Sequence, residues 1–285
     1  MAKQYKIGID IGGSKMAAVL LDMDNKVVAD FQLATPKDSL EHFVIMIKAL
    51  LEPLQEKAVQ DKAIITSLGL GVPAPVDYAN QKVLSASNLE IISDIKLGER
   101  IKEQLKIEQP IKLDNDVNCF VRSESLLGAG RGSNNVYGIT IGTGIGGGWW
   151  FNNQVYTGAH GGAGEICDTL IDFDNKITLE GAYHQLTQNN SRSLAQDAYE
   201  GDQLAEKKFA ELGEYLGIAL ANLVNTLDPE IIVIGGGAMA ASGLFLKAAK
   251  NTMQQYTTCA AAKRIKIVKS KLGPLAGAIG AALLF

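Results

Sequence analysis

NVYGITIGTGIGGGWWFNNQVYTG, residues 135–158, reads as strand, glycine turn, strand, Asn-Asn turn, strand. Its apolar runs are short and β-branched or aromatic, and each break carries turn residues. Gly142, Gly144 and Gly147 spell G-x-G-x-x-G, which marks a dinucleotide site only where a helix follows the loop. Gly148-Trp149-Trp150-Phe151 follow instead and favour a strand. The dinucleotide reading is therefore set aside. No G-x-x-x-x-G-K-[ST] string exists in the chain, so a P-loop is excluded as well.

The same grammar occurs about 130 residues earlier. YKIGIDIGG, KMAAVLLDM and KVVADFQLA, within residues 5–34, read as three strands, with Asp24-Asn25-Lys26 as a hairpin turn. Residues 38–59 then show helical spacing at Leu40, Phe43, Ile47, Leu50, Leu51 and Leu54. IITSLGLGV (64–72) is an apolar strand that runs into the rigid Pro73-Ala74-Pro75. After the second set of strands comes a helix at 202–227, with Leu204, Phe209, Leu212, Leu216, Leu220, Leu223 and Leu227 as its apolar stripe, and then the buried strand IIVIGGG. The pattern predicts an α/β protein made of two copies of one β-β-β-α-β unit. Two such lobes imply a cleft between them, a preferred place for a ligand.

Three glycine loops follow apolar strands: Gly12-Gly13-Ser14-Lys15, Gly142-Thr143-Gly144 with Ile145-Gly146-Gly147, and Gly235-Gly236-Gly237. Such loops let backbone N–H groups approach an anion. Each alone is equally a tight hairpin; three in a duplicated framework point to phosphate. Asp10 lies two residues before the first loop. A buried acid there needs a partner, and the water shell of a nucleotide-bound metal would supply one; an Asp capping its own turn fits the same residues. Asp114-Asn115-Asp116 has a similar double reading: a carboxylate and amide set for a polyol hydroxyl, or an Asx-rich turn capping a helix that starts near Val117.

Bulk properties narrow the field. A length of 285 residues suits two domains of ordinary size. With 47% hydrophobic and 20% charged residues the chain has a core to bury, which excludes disorder. A net charge of −4 offers no field for nucleic acid. The one basic cluster, Lys263, Arg264, Lys266, Lys269 and Lys271, alternates with Ile265, Ile267 and Val268 and reads as a strand with a wet face. Cys119, Cys167 and Cys259 form no disulfide framework and no C-x-x-C pair, as suits a reducing cytoplasm. No signal peptide is visible, and the apolar run from Pro274 to Phe285 has only 12 residues, too few to cross a bilayer and enough for a buried terminal helix.

Six motifs in order resemble the ROK family (repressors, open reading frames and kinases) of the hexokinase, actin and Hsp70 superfamily. IGIDIGGSK (7–15) is similar to its first phosphate motif and GLGVPAPVD (69–77) to its G-x-G-x-P-G-P-V-D. DNDVN (114–118) resembles its E-N-D-A-N, ITIGTGIGGG (139–148) its second phosphate motif, GGAGE (161–165) its G-x-A-G-E, and VIGGGAM (233–239) its adenosine motif. The resemblance implies two ribonuclease-H-like lobes of β-β-β-α-β-α units: residues 1–117 with the helix at 274–285 as the smaller, and 118–273 as the larger. It implies ATP and Mg²⁺ as cofactors, with Asp116 as general base and Asn88, Asn115, Glu165 and Glu180 as sugar ligands. Asp10 is implied on the Mg²⁺ side, and Gly12, Gly13, Ser14, Lys15, Gly142, Thr143, Gly144, Gly235, Gly236 and Gly237 as nucleotide contacts.

The chain departs from the family in one stretch. ROK proteins that bind zinc carry a His just after A-G-E and then C-x-C-G-x-x-G-C-L-E. Asp168 stands at the place of that His and joins the sugar ligands as an acceptor. Ile171, Phe173 and Thr178 stand at the places of the cysteines. An N/S zinc site needs its ligands together, so no zinc is expected. The resemblance thus implies a hexokinase-type enzyme, glucokinase-like. The rivals are kinases of N-acetylmannosamine, N-acetylglucosamine or fructose, and a non-catalytic sugar-binding paralogue. A DNA-binding repressor is not expected, because the first phosphate motif begins at Ile7 and leaves no room for a helix-turn-helix. A cytoplasmic homodimer is expected on the resemblance alone, with no membrane or nucleic-acid partner. Trp149-Trp150-Phe151 fit an interface and a core equally.

Overall fold

The structure, a computed structural model, describes residues 2–285 and divides into two compact units. The first takes in the chain up to Leu127, Thr157–Ala163 and Leu275–Phe285; the second takes in Gly128–Tyr156 and Gly164–Pro274.

In the first unit the strands β1 (Lys3–Ile11), β2 (Lys15–Asp22) and β3 (Val27–Ala34) form an antiparallel meander. Asn25, at φ 60°, makes the turn between the second and third. Helix α1 (Leu40–Gln60), capped by Ser39, leads to β4 (Ala63–Val72). A small hairpin, β5 (Val76–Asp77) with β6 (Lys82–Val83), and helix α2 (Leu97–Leu105) precede β7 (Ile111–Asn115) and helix α3 (Asp116–Leu126). The sheet order is β3-β2-β1-β4-β7, with β4 parallel to both β1 and β7.

The second unit repeats this plan. It runs through β8 (Asn135–Ile141), β9 (Ile145–Phe151), β10 (Gln154–Val155), the small pair β11 (Leu170–Asp172) and β12 (Ile177–Thr178), and helices α4 (Leu179–Thr187), α5 (Ser191–Tyr199) and α6 (Gln203–Leu227). Then come β13 (Ile231–Gly235), α7 (Ser242–Tyr256) and β14 (Lys266–Lys269). The sheet order β10-β9-β8-β13-β14, again with three antiparallel strands and two parallel additions, matches the first strand for strand. Gly213 and Gly217 face α7, where a Cβ would stand 2.5 Å from the Phe245 oxygen and 2.6 Å from the Ala249 oxygen; small residues bring these helices close. The expected apolar stripe of α6 is buried from Phe209 to Leu223, but Leu204 is exposed, and in the first turn its neighbour Ala205 faces the core instead. Trp150 is buried, whereas Trp149 packs at the surface edge-on to Tyr156 and tilted against Phe151. In β14, Ile267 is buried and Lys266 and Lys269 are exposed, the wet face read from the basic cluster.

The chain then returns to the first unit as α8 (Ala276–Ala282), every residue of which is buried. The first sheet is built for it. Ile7, Ile9, Leu68 and Leu70 share a core with Phe43, Ile47, Leu50 and Leu54 of α1. The alternate positions, Gly8 and Gly69, are on the other face by the period of two. A Cβ at Gly8 would overlap the Ala278 carbonyl oxygen, one at Gly69 that of Ala281, and one at Gly280 of α8 that of Cys119 in α3. The contacts of α3 with α8 and β4 keep the whole of α3 in this unit, so the division falls after Leu127, whereas the sequence reading draws it after 117.

Gly69→Ala is expected to destabilise the protein by about 3 kcal/mol or more, the upper range of overpacking, because backbone rather than a flexible side chain must move. Gly162→Ala, with nothing within 4 Å of the new methyl, is the control and is expected to shift stability by less than about 0.5 kcal/mol. Urea denaturation of both variants checks this.

Candidate active site

The carboxyl ends of β1, β4 and β7 lie side by side: Asp10 pairs with Gly71, and Gly71 with Asp114. Ligands of parallel α/β sheets collect at such ends. Asn115 closes β7 and is the N-cap of α3; its side-chain oxygen accepts from the N–H groups of Val117 at 2.9 Å and Asn118 at 3.1 Å. Its amide nitrogen is left with one long bond, 3.4 Å, to the Ala74 oxygen. The helix-cap reading of this segment is thus correct for Asn115, and it leaves the amide N–H₂ as the group that can meet a hydroxyl. Asp116 is the first residue of α3 and half-buried, and one of its carboxylate oxygens accepts from the Val117 N–H at 2.8 Å. A Cβ at Gly71 would come within 3.3 Å of Cys119 Sγ and 3.4 Å of the Asp116 Cα, so α3 starts in close contact with β4.

Asp114 holds this turn together. It is buried, and its carboxylate accepts from the Tyr78 hydroxyl at 2.7 Å, the Asn118 amide at 3.1 Å, the Asn115 N–H at 2.8 Å and the Arg122 guanidinium at 2.5 Å. A buried carboxylate is tolerated only when satisfied in this way. Burial, and then the Asp114 charge, push the Tyr78 hydroxyl well above its usual pKa, so it remains a donor. The sequence reading missed this network. Part of the signal was present: Asn118 and Arg122 are four apart and share a face of α3, while Asp114 stands on the strand just before it.

Asp10 has the opposite environment. The turn after it is closed by the Gly12 N–H donating to the Lys15 oxygen at 3.0 Å and by Thr35, whose hydroxyl donates to the Gly12 oxygen at 2.6 Å. Asn88 is exposed beside this turn, 3.6 Å from where a Cβ of Gly13 would be. The Asp10 carboxylate packs on the backbone of α8, where a Cβ at Gly277 would stand 2.6 Å from its Cγ. Desolvation pushes its pKa up to about 6, against the pull of the Lys15 charge. A carboxylate desolvated and held without a strong partner fits a cation or its water shell, the role expected of Asp10 toward Mg²⁺.

In the second unit the loops 142–144 and 235–237 leave the carboxyl ends of the adjacent strands β8 and β13. Gly236 has φ 92°, and a Cβ there would overlap the Ile141 oxygen, so the two loops meet at backbone contact. Gly142 and Gly237 have nothing within 4 Å of a built Cβ, an open approach for a ligand. The sequence profile of the ROK family matches residues 6–285. The chain belongs to the ROK family. It is 28% identical to a glucokinase of Halalkalibacterium halodurans over 98% of this chain and 94% of that protein. It is 26% identical to a xylose repressor of Caldicellulosiruptor bescii, over 96% of this chain and 76% of the repressor. An N-acetyl-D-glucosamine kinase of Photobacterium profundum is 28% identical over 97% and 98% of the two chains. Among solved structures, a ROK family glucokinase from Streptomyces griseus in complex with glucose and AMPPNP superposes with a TM-score of 0.80 at 25% identity, covering 98% of each chain.

The stretch that departs from the ROK zinc motif has its own arrangement. Glu165 is half-buried, and desolvation pushes its pKa up despite a hydrogen bond from the Cys167 thiol at 3.4 Å. Burial, then the charges of Glu165, Asp168 and Glu180, push the Cys167 thiol well up. Cys167 Sγ and one carboxylate oxygen each from Asp168 and Glu180 lie within 4.8 Å of one another. One thiol with two carboxylates is not the donor set of the family's thiolate-and-imidazole zinc. Glu180, on α4, also reaches the glycine loop: the Ile145 N–H donates to it at 3.3 Å. Tyr183, one turn on, donates to the Gly142 oxygen at 2.7 Å. Neither link was read from the sequence, although a spacing of three on one helix places both residues on one side.

Asp10 binds more protons folded than unfolded between its ordinary pKa of 3.8 and about 6, so its contribution to stability falls as pH rises through that window. Asp10→Asn is therefore expected to be more stable than the wild type at pH 8, by up to about 3 kcal/mol, and to lose that advantage near pH 3.5. Thermal melts in metal-free buffer at the two pH values check the sign.

Proposed function

We propose that the protein transfers the γ-phosphoryl group of ATP to a hydroxyl of a hexose, with glucose as the leading substrate and Asp116 as general base. The observation that carries this reading is the placement of a half-buried Asp116 at the carboxyl end of the first sheet, on a turn that Asp114 anchors through four hydrogen bonds. Phosphoryl transfer needs the acceptor oxygen held in line and its proton removed as the bond forms. A carboxylate on a rigid turn does both. The hydroxyl ligands in this reading are Asn88, the Asn115 amide, Glu165, Asp168 and Glu180. A hexose presents several hydroxyls in fixed directions, which several short polar side chains can match. Lys15 with the three glycine loops holds the nucleotide, and Asp10 faces the Mg²⁺ that neutralises its phosphates. Mg²⁺ is the only metal in this reading.

Glucose rests on the glucokinase relatives; N-acetylglucosamine is the rival, since a kinase of that sugar is equally similar in identity. The likeness to a xylose repressor favours a second reading, a sugar-binding ROK protein without turnover. The two readings part on one variant. Asp116→Asn keeps size and hydrogen bonding but cannot accept the proton, and kcat is expected to fall by roughly 10²–10⁴-fold with sugar affinity and melting temperature nearly unchanged. A wild type that binds sugar but transfers no phosphate to any of glucose, N-acetylglucosamine, N-acetylmannosamine or fructose supports the second reading. A loss of kcat within about threefold, far below the usual effect of removing a general base, removes Asp116 from the role.

The metal assignment has its own check. Elemental analysis of the purified protein is expected to give zinc well below one per chain, with activity restored by Mg²⁺ alone after chelation. Stoichiometric zinc would overturn it.

A further inference from the structure

Tyr78 opens the turn between β5 and β6, just outside the motif at 69–77. The turn is tied at both ends. The Asp77 carboxylate accepts from the Asn80 N–H at 3.1 Å and from the Asn80 side-chain amide at 2.8 Å. The Gln81 amide donates to the Tyr78 oxygen at 3.1 Å, and the Gln81 side-chain oxygen accepts from the Leu113 N–H at 2.8 Å. Leu113 lies on β7, the edge of its sheet, so Gln81 occupies a donor that a further strand would otherwise take. The backbone of Tyr78 is thereby fixed to the strand that ends at Asn115.

The two ends of the Tyr78 side chain meet different parts of the protein. Its hydroxyl donates to Asp114 Oδ1 at 2.7 Å and accepts from the Asn118 amide at 3.0 Å. It thus joins the end of β7 to the first turn of α3, and Asp116 lies between the two. The edge of its ring faces Gly161, where a built Cβ would stand 3.4 Å from the ring Cε2 and 2.9 Å from the Val76 oxygen. Gly161 has φ 80°, a conformation that favours glycine. The 157–163 segment closes on itself, the Ala163 N–H donating to the Thr157 oxygen at 3.2 Å. It belongs to the first unit although the chain on either side of it belongs to the second, and Gly164 and Glu165 follow it directly.

Each end has its own consequence. Arg122 holds the other oxygen of Asp114. Without the Tyr78 donor the carboxylate can swing toward the guanidinium, which lengthens its bond to the Asn115 N–H and loosens the turn that carries Asp116. The ring acts by packing. A gap left under Gly161 is filled by movement of main chain, because interiors tolerate little empty volume. That movement passes along the segment to Glu165.

We propose that Tyr78 is a positioning residue with two separable tasks: its hydroxyl fixes the turn that carries Asp116, and its ring seats the segment that leads to Glu165. The proposal rests on the sugar-kinase reading above, in which Asp116 takes the proton and Glu165 holds a sugar hydroxyl. It assigns turnover to one end of a side chain and sugar affinity to the other.

Three variants separate the tasks. Tyr78→Phe removes the hydroxyl and keeps the ring, Tyr78→Leu removes both, and Gly161→Ala keeps Tyr78 but pushes on the seat. Sugar affinity by calorimetry, kcat by a coupled assay and melting temperature are measured on each, with glucose and N-acetylglucosamine as the probes. Tyr78→Phe is expected to lower kcat by roughly 10- to 100-fold with sugar affinity within about twofold, since an ångström of misplacement costs up to about 100-fold in rate. Tyr78→Leu is expected to lose kcat alike and to weaken sugar binding by roughly tenfold or more, the ordinary loss of one hydrogen bond to a charged group. Gly161→Ala is expected to weaken sugar binding likewise, with kcat at saturating sugar within about threefold of the wild type, the mark of lost binding without lost chemistry. If Tyr78→Leu does not fold, Gly161→Ala decides the task of the ring. A role in folding alone lowers the melting temperatures and leaves kcat and affinity of the folded protein unchanged, and that outcome overturns the proposal. So does a Tyr78→Phe variant with kcat within about threefold of the wild type, and an active wild type then leaves the kinase reading standing. A wild type that phosphorylates none of the four sugars named above brings down the kinase reading and the proposal together.

Discussion

The backbone contact between α8 and the first sheet is the constraint on which the candidate site depends. Gly8, Gly69 and Gly280 let α8 rest on β1, β4 and α3 with no side chain between them. At Gly280 that contact falls on the Cys119 carbonyl of α3, one turn from Asp116. It also presses Gly277 against the Asp10 carboxylate, which removes water from one side of an acid that has gained no hydrogen-bonding partner in exchange. Hydrophobic cores tolerate exchange of volume between neighbours, but here the neighbour is main chain, and main chain cannot be repacked.

Two aspartates on this sheet show how the same residue type is used in opposite ways. Asp114 is enclosed and saturated, its charge matched by Arg122 and its lone pairs filled by Tyr78, Asn118 and the Asn115 amide. It gives rigidity. Asp10, beyond Gly71 on the neighbouring strands, is desolvated and unmatched, with its pKa raised to about 6. A protein that keeps an acid in that condition carries a stability cost, and such violations of local consistency concentrate at sites that bind or react.

Most of the fold was legible because the signals are local. The period of two in IGIDIG and LGLGV places large side chains on one face and glycine on the other, and the helical spacing at 40–54 supplies the element that covers the large face. Repetition of the meander makes the duplication visible in the sequence itself. The division of the units after Leu127 was not legible, because it depends on α3 packing against a helix about 150 residues later in the chain, and pairing at such range leaves no local mark. The site was legible to the level of residue type. Asn115 could be read as a cap or as a ligand, and the structure shows the cap with one amide to spare. The Asp114 network and the reach of Glu180 to Ile145 needed geometry, since a carboxylate on a helix can face any of several neighbours.

The path of the chain through the two units has a consequence for biosynthesis. Apart from Thr157–Ala163, the second unit is one continuous insertion between α3 and α8. As a ribosome extends the chain, the first sheet emerges early but α8 cannot pack on its glycine face until that helix has left the exit tunnel. The second unit, whose elements lie close in sequence, can condense while the first still waits. For most of synthesis the glycine-bearing face of β1 and β4 is therefore open to solvent and to chaperones. A stalled or prematurely stopped product lacking α8 would keep that face exposed, marking it for quality control.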